Sequence, residues 1–292
     1  MLVTWKYRPR DTFIQRLDPR TRIIMLACMV VAFTVFWDLR VVLPLAALSF
    51  ALFGLARIEW RDVKRAVLFI SAFAIILVIV NAILGARGAP PSVRADVSPV
   101  VWQSPEIVIG SWHWAFRITA ARIMFMISQL LRFLGMAFMA IPIPYTLDPE
   151  LYGATFRQLG VPDKPSYSID LAFRLVPTLA RDFGITIDAQ RARGYELDKV
   201  KGGLFERIRR LAPIIVPVVI QSIVDGEEII DAMELRGFGV GKRTWTRHLH
   251  YRPVDYAIIA VGLVFAVVCT LMGLLQIAAD VWLPPLLLSL AG

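Results

Sequence analysis

The sequence predicts an all-α, polytopic membrane protein with about five transmembrane helices and a cytoplasmic pair of long, crossing helices. Three observations support this fold class. Hydrophobic residues make up 57% of the 292 residues, and the mean hydropathy is +0.63. Several apolar runs approach the ~20 residues that a helix needs to cross a bilayer. One long segment carries many charges on a helical repeat of apolar residues, which favours helices outside the bilayer.

The predicted elements divide the chain into three parts. Residues 1–141 contain transmembrane helices one to four, 142–252 form a cytoplasmic domain of long helices, and 253–292 contain a last transmembrane helix and a tail. The excess of 32 Lys and Arg over 23 Asp and Glu gives a net charge of +9. In a membrane protein such an excess reports topology more often than nucleic-acid binding, so we expect no nucleic-acid partner.

Two apolar runs near the start predict a transmembrane hairpin. We expect helices over about 21–37 and 41–57, separated by a polar break at 38–40. Lys and Arg are frequent both before the first helix and in 57–65. Because basic residues remain on the cytoplasmic side, we expect a multi-pass protein of the inner or plasma membrane of the cell with its N-terminus in the cytoplasm.

Three further spans are predicted. The third and fourth cover about 66–84 and 116–141, and the last covers about 254–277 before a short apolar tail. Between the third and fourth, residues 85–114 contain four prolines and three tryptophans, which is typical of an external loop ending in an interfacial aromatic belt. Arg132 lies within the fourth span, and we expect it to face other helices rather than lipid.

The charged segment predicts three helices outside the bilayer. Asp148-Pro149 supplies an N-cap and a first-turn proline for a short amphipathic helix that ends near Gly160. Apolar residues at helical spacing predict two longer helices over about 168–193 and 204–236. The first ends in arginines and the second in acidic residues, so we expect the two helices to cross with complementary charged ends.

A short motif with the spacing Asp-Ala-x-x-x-Arg-Gly occurs twice in this segment. One copy covers 188–194 and the other covers 231–237. Each copy ends a predicted helix, since glycine can adopt the left-handed conformation that stops a helix and leaves the preceding arginine at a projecting tip. The candidate docking residues are Ala192, Arg193, Gly194, Leu235, Arg236 and Gly237, with Asp188, Asp231 and Glu234 as supporting positions.

Two interpretations of these helix ends are open. An arginine is always charged and carries five N–H donors, so it can bind carboxylates and carbonyl groups in the groove of a partner protein. Alternatively, each Arg-Gly pair is only a helix cap whose cation complements the helix dipole, worth about 0.3–1 kcal/mol. A single copy would favour the cap. Two copies with the same spacing favour a docking role for Arg193 and Arg236.

The order of the motifs resembles a known family. Leu17-Asp18-Pro19-Arg20-Thr21-Arg22, the segment from Asp148-Pro149 to Pro162 and the two Arg-Gly helix ends look like the transmembrane T component of energy-coupling factor (ECF) transporters, which includes the cobalt-transport Q proteins. The similarity covers nearly the whole chain. It implies two crossing coupling helices, each ending in an Ala-Arg-Gly motif whose arginine docks in a groove of one of two ATPase subunits. Leu235 departs from the usual alanine of that motif.

The resemblance also implies a function. The chain would be the energy-coupling subunit of an ABC importer. It would transmit ATP-driven motion from two ABC ATPase subunits to a separate substrate-binding S component in the bilayer, for uptake of a vitamin or a transition metal ion. The chain contains no Gly-x-x-x-x-Gly-Lys-Ser/Thr phosphate loop. ATP and Mg should therefore bind to the ATPases, and this chain should be a non-catalytic subunit without a cofactor.

Alternative functions depend on other features of the chain. A conventional permease would form its own pathway from polar residues near the membrane midplane, and such residues are few in the predicted spans. A membrane hydrolase or a scaffold would use the acidic helix around Glu227, with Glu228 and Asp231. For the hydrolase, no His, Ser or Cys lies at a persuasive spacing from these carboxylates.

The histidines and cysteines do not predict a metal site. His248 and His250 form a His-x-His pair without a third evident ligand. Cys28 and Cys269 lie in apolar runs far apart in the sequence, so we expect both to be small buried hydrophobic residues.

Overall fold

A computed structural model describes residues 7, 9–83, 93, 100–103, 107–109, 112–114, 117–195, 204–241, 245, 248–275 and 277. The chain divides into two compact units. The larger unit takes its described residues from Lys6–Leu147 and His250–Gly292, and the smaller takes them from Asp148–Leu249. The three-part division predicted at 142 and 252 stays a prediction about the protein in its membrane.

Helices make up most of the described residues. In chain order they are α1 (Phe13–Arg16), α2 (Pro19–Val35), α3 (Leu39–Leu55), α4 (Trp60–Ile83), α5 (Ala120–Ala140), α6 (Ile143–Thr146), α7 (Tyr152–Gln158), α8 (Asp163–Ala192), α9 (Leu204–Leu235) and α10 (Pro253–Leu274), with a 3-10 turn at Pro149–Leu151. The predicted all-α, polytopic class is confirmed.

The larger unit contains the apolar helices. Among the described residues, three segments are long and apolar enough to cross a membrane, namely Trp60–Ala82, Ala120–Thr146 and Pro253–Leu274, and Leu39–Leu55 is a shorter apolar helix. Helices α2 and α3 have 17 residues each. At 1.5 Å per residue they extend about 26 Å, slightly less than the ~30 Å hydrocarbon core of a bilayer.

Two small antiparallel sheets lie in the segment that was predicted as an external loop and at the start of the predicted fourth span. Strand β1 (Val100–Gln103) pairs with β4 (Arg117–Thr119), and β2 (Ile107–Ile109) pairs with β3 (Trp112–Trp114). These stretches are rich in Val, Ile and Trp, which favour strands. Helix α5 consequently begins at residue 120 rather than 116. The four prolines of the predicted loop and the tail 278–292 lie outside the described residues.

An aspartate begins three of the described helical segments. Asp18, Asp38 and Asp148 each accept a hydrogen bond from the backbone N–H two residues later, at 2.9, 2.9 and 3.0 Å. This bond satisfies one of the N–H groups that a helix start leaves without a partner. A proline follows Asp18 and Asp148 at the first helical position. The predicted Asp148-Pro149 helix start is therefore confirmed.

The core of the larger unit depends on close helix packing at small residues. A Cβ atom added to Gly135 of α5 would lie 2.4 Å from Cζ of Phe33 in α2, and one added to Gly273 of α10 would lie 2.4 Å from Cγ1 of Val35. Small residues let helices approach closely in this way. The buried residues of this core are Met29, Ala32, Phe33, Phe36, Val42, Leu45, Ala46, Met139 and Cys269.

Three sequence predictions for residues in the apolar helices agree with the structure. Cys28 and Cys269 are both free thiols and both buried. Arg132 of α5 donates from Nη2 to the carbonyl oxygen of Thr34 at 3.0 Å, and its guanidinium carbon lies 4.0 Å from the centre of a Trp37 ring. The side chain of Arg132 therefore faces α2 and the turn after it, as predicted.

The smaller unit is built on two long helices. Helix α8 has 30 residues and α9 has 32. Helix α8 begins five residues earlier than predicted, where Asp163 pairs with Arg157 of α7 and accepts a hydrogen bond from Trp245 Nε1 at 3.3 Å. Helix α7 packs closely on α8 at Gly153. A Cβ atom added to this glycine would lie only 2.6 Å from Cβ of Asp170.

Candidate functional site

The first candidate tip, residues 192–194, ends α8 in a regular hydrogen-bonded stop. Arg193 is the C-cap, and Gly194 lies in the left-handed region with φ +81°. The N–H of Gly194 donates to the carbonyl of Arg191 at 2.9 Å, and the N–H of Tyr195 donates to the carbonyl of Gln190 at 2.9 Å. This pair of bonds is the Schellman motif, which satisfies the last carbonyls of a helix.

The second candidate tip, residues 235–237, repeats this geometry at the end of α9. Gly237 has φ +69°. Its N–H donates to the carbonyl of Glu234 at 2.8 Å, and the N–H of Phe238 donates to the carbonyl of Met233 at 2.9 Å. The two copies of the motif therefore fold in the same way, with Arg236 in the place that Arg193 takes in the first tip.

Both tips project into solvent. All six residues of 192–194 and 235–237 are exposed, as are Asp188, Asp231 and Glu234. Leu235 is 90% exposed, an unusual position for a large apolar side chain. Asp188 and Arg191 form an ion pair at 3.7 Å with both side chains largely exposed, so this pair adds little stability. The tips are therefore accessible to another protein.

The second tip is supported by an aromatic contact that the sequence analysis did not identify. The rings of Phe238 and Tyr167 lie 4.8 Å apart, and the Tyr167 hydroxyl lies 3.6 Å from the sulfur of Met233. A signal for such support was present, because an aromatic residue follows the glycine of both motifs, as Tyr195 and as Phe238. Contacts of that residue with the preceding turn commonly accompany a Schellman motif.

Helices α8 and α9 run antiparallel. Tyr167 near the start of α8 meets Met233 near the end of α9, whereas Gln190 near the end of α8 donates to the carbonyl of Pro213 at 3.1 Å. The 23 residues from Tyr167 to Gln190 extend about 35 Å along the helix. The two tips therefore lie at opposite ends of the helix pair.

The antiparallel arrangement determines where the charged helix ends lie. The arginine-rich end of α8 and the acidic end of α9 were predicted to be complementary in charge, and that complementarity stays a prediction. The acidic end of α9 lies beside the start of α8, where Tyr167 contacts Met233. The charges at each tip thus face solvent rather than each other.

The middle of α9 exposes a continuous apolar surface. Only Ile214 of this stretch is fully buried, at 1% exposure. The apolar residues that are 40–58% exposed on α9 are Leu211, Ile215, Val216, Val219, Ile220, Ile223, Val224 and Ile230. A contiguous exposed apolar area on a protein surface commonly marks a site of contact with another protein or with the membrane.

The other candidate groups do not converge. Glu227, Glu228 and Asp231 are exposed on α9. Within the described part of the chain, no group of three His, Cys, Asp or Glu residues is placed to hold a metal ion.

The fold and the site together define a class of protein. It is a multi-pass membrane protein whose charged helical unit carries two equivalent, exposed arginine tips at the ends of an antiparallel helix pair.

Comparison with known proteins identifies the family. The profile of the family described as CbiQ, cobalt transport protein, matches residues 10–246, which include both tips. The chain belongs to this family and is a transmembrane T component of energy-coupling factor transporters.

Three relatives are each named energy-coupling factor transporter transmembrane protein EcfT. The protein of Bacillus selenitireducens is 27% identical, with 91% of this chain and 94% of the relative covered. The proteins of Lacticaseibacillus paracasei and Heliobacterium modesticaldum are 26% and 28% identical, covering 87% and 90% of this chain and 92% and 95% of the relatives. Each match extends over nearly the full length of this chain and of the relative.

Proposed function

We propose that this energy-coupling component transmits movement from two ABC ATPase subunits to a separate substrate-binding S component, during ATP-driven uptake of a vitamin or a transition metal ion. The observation that carries the proposal is the pair of equivalent, exposed arginine tips about 35 Å apart on one antiparallel helix pair. Two binding points at that spacing suit two similar subunits better than one.

Each arginine would dock in a groove of one ATPase. Arg193 and Arg236 lie at the ends of their helices and are exposed, so their guanidinium groups are accessible to a partner. A guanidinium presents its donors in a rigid fork that matches carboxylates and carbonyl groups. The exposed Leu235 beside Arg236 adds an apolar contact that Ala192 provides only in part. The same groups at the two tips would let both ATPases pull on the helix pair.

The S component would use a different surface. The apolar residues exposed on α9 lie several turns from Arg236 along the helix, and they offer area to a membrane protein rather than to a soluble ATPase. Movement of the helix pair would then reach the S component directly. The substrate would bind to that partner, since the spans of this chain contain few polar residues.

The remaining assignments follow from this role. ATP and Mg would bind to the ATPases, and this chain would be a non-catalytic subunit with no cofactor of its own. The protein would lie in the inner or plasma membrane, with its N-terminus and both tips in the cytoplasm, where basic residues remain and where ATP is available.

The test is co-purification of the chain with its two ATPases. The Arg193→Ala/Arg236→Ala variant should lose the ATPases, since arginine hot spots of interfaces are worth about 2 kcal/mol or more each. The matched control is Arg174→Ala/Arg181→Ala, which removes two exposed arginines from the middle of α8, away from both tips. The control should retain both ATPases.

Two results of the co-purification experiment would contradict the proposal. Equal recovery of ATPases by the tip variant and the wild type would show that the arginines are only helix caps. Equal loss in the tip variant and the control would show that total positive charge, rather than the tips, holds the ATPases.

A further inference from the structure

The chain passes from the larger unit to the smaller one and back again, and the short segment 17–22 contacts the chain close to both of these points. The chain leaves the larger unit after Leu147 and returns to it at His250. The residues next to these points, on the side of the larger unit, are Thr146 and Tyr251. Segment 17–22, which begins α2, contacts the chain at both places.

Arg22 binds the outgoing passage, which is the point near Thr146 where the chain leaves the larger unit. Its Nη1 donates to the carbonyl of Thr146 at 2.8 Å, and its Nη2 donates to the carbonyls of Leu17 and Gln15 at 2.6 and 2.9 Å. The residue is only 6% exposed. A buried guanidinium is tolerated only with such partners, so this charge fixes the last turn before the chain leaves the unit.

Asp18 and Asp255 fix the returning passage, which is the point near Tyr251 where the chain re-enters the larger unit. Asp255 is fully buried, and its two oxygens accept from the backbone N–H of Asp18 at 3.0 Å and from that of Arg252 at 2.9 Å. One carboxylate thus connects the start of α2 to the start of α10. The bond from Arg252 also caps α10, so the direction of this helix depends on the same group.

Arg20 completes the contact with the returning passage. Its Nε and Nη2 donate to the two oxygens of Asp18, both at 3.0 Å. Its guanidinium carbon lies 3.6 Å from the centre of the Tyr251 ring. The phenol is neutral at physiological pH, and burial raises the pKa of Tyr251 further from that range. A cation over such a ring is favourable.

Buried ion pairs are a poor means of adding stability, because desolvation offsets most of their attraction. Their better attested use is to fix one geometry among several. Four buried charges at the two passages are therefore better explained by positioning than by stability.

We infer that Asp18, Arg20, Arg22 and Asp255 form an anchor that ties both chain passages to the start of α2, so that movement of the smaller unit enters the membrane helices at that point. These are positioning residues, which would act through the helices that they orient. The inference rests on the proposed function, because only a coupling subunit has movement to transmit.

The test measures distances by spin labels in the complex of the full chain with its ATPases and S component. One label pair reports on the smaller unit, at Arg181→Cys and Glu227→Cys, two exposed positions away from the tips. The other reports on the larger unit, at Phe69→Cys and Val261→Cys, which are 71% and 70% exposed in the native chain. The native thiols of Cys28 and Cys269 are buried and should remain unlabelled.

In the wild type, ATP should shift the distances of both label pairs. In Arg22→Gln, the smaller-unit pair should still shift, whereas the ATP-induced change of the larger-unit pair should fall about tenfold, because charge-assisted hydrogen bonds to a buried passage are lost. Arg22→Lys keeps the charge without the rigid fork, so it should give an intermediate change and shows that the effect is not simple unfolding.

The control is Phe33→Leu, which removes buried volume from α2 and leaves the four anchor residues in place. It should lower the thermal stability and keep both ATP-induced shifts. The inference is overturned if Arg22→Gln shifts both pairs like the wild type, or if Phe33→Leu abolishes the larger-unit shift as Arg22→Gln does. If neither pair shifts in the wild type, the coupling role itself has failed.

Discussion

At the scale of single residues, each arginine tip depends on the glycine that follows it. Gly194 and Gly237 have φ of +81° and +69°, and a Cβ atom added to either would meet no atom within 4 Å. Any cost of a side chain there comes from the backbone alone, at roughly 1–2 kcal/mol for a residue forced into the left-handed region. The glycines therefore hold each arginine at the end of its helix.

The first prediction concerns these glycines. Gly237→Ala should weaken co-purification of one ATPase and lower the melting temperature, whereas Gly237→Asn should do less harm, because asparagine tolerates the left-handed region. Gly226→Ala is the matched control, since Gly226 lies inside α9 with open space around it, and it should stabilise the helix by about 0.5–1 kcal/mol. Equal effects of Gly237→Ala and Gly226→Ala would contradict a special role for the tip.

At the scale of elements, helix packing in the larger unit is set by glycines. Gly135→Ala should destabilise the unit by about 1–3 kcal/mol, since the new Cβ would lie 2.4 Å from Phe33. Thermal unfolding in detergent measures the effect, and adding Phe33→Leu should recover part of it by making room. Gly54→Ala in α3 has open space around it and should not destabilise the unit. A neutral Gly135→Ala would show that α2 and α5 separate more easily than their packing indicates.

The elements also show what the sequence can and cannot predict. The two helix ends with left-handed glycines were predicted and are confirmed, because glycine, spacing and apolar periodicity act locally. The start of α4 was placed in a basic loop, yet the helix begins at Trp60, since charged residues can continue a helix beyond its apolar part. The antiparallel order of α8 and α9 and the contact of Asp18 with Asp255 depend on residues distant in sequence, which periodicity does not connect.

At the scale of the whole molecule, the order of the apolar helices fixes which segments share a side of the membrane. With α2, α3, α4 and α5 crossing in turn, the segment before α2, the turn before α4 and the smaller unit must all lie on one side. The turn between α2 and α3 must lie on the other. The excess of basic residues in those three segments predicts that they lie in the cytoplasm. That orientation remains a prediction, and it can be measured directly.

A thiol reagent that does not cross membranes tests this orientation. The native Cys28 and Cys269 are 6% and 2% exposed and should react poorly, so single added cysteines can be read against a low background. Arg40→Cys, at the start of α3, should react in intact cells. Arg61→Cys, at the start of α4, and Arg193→Cys, at the first tip, should react only in inside-out vesicles. If Arg193→Cys reacted in intact cells, the tips would face away from ATP, and no cytoplasmic ATPase could dock on them.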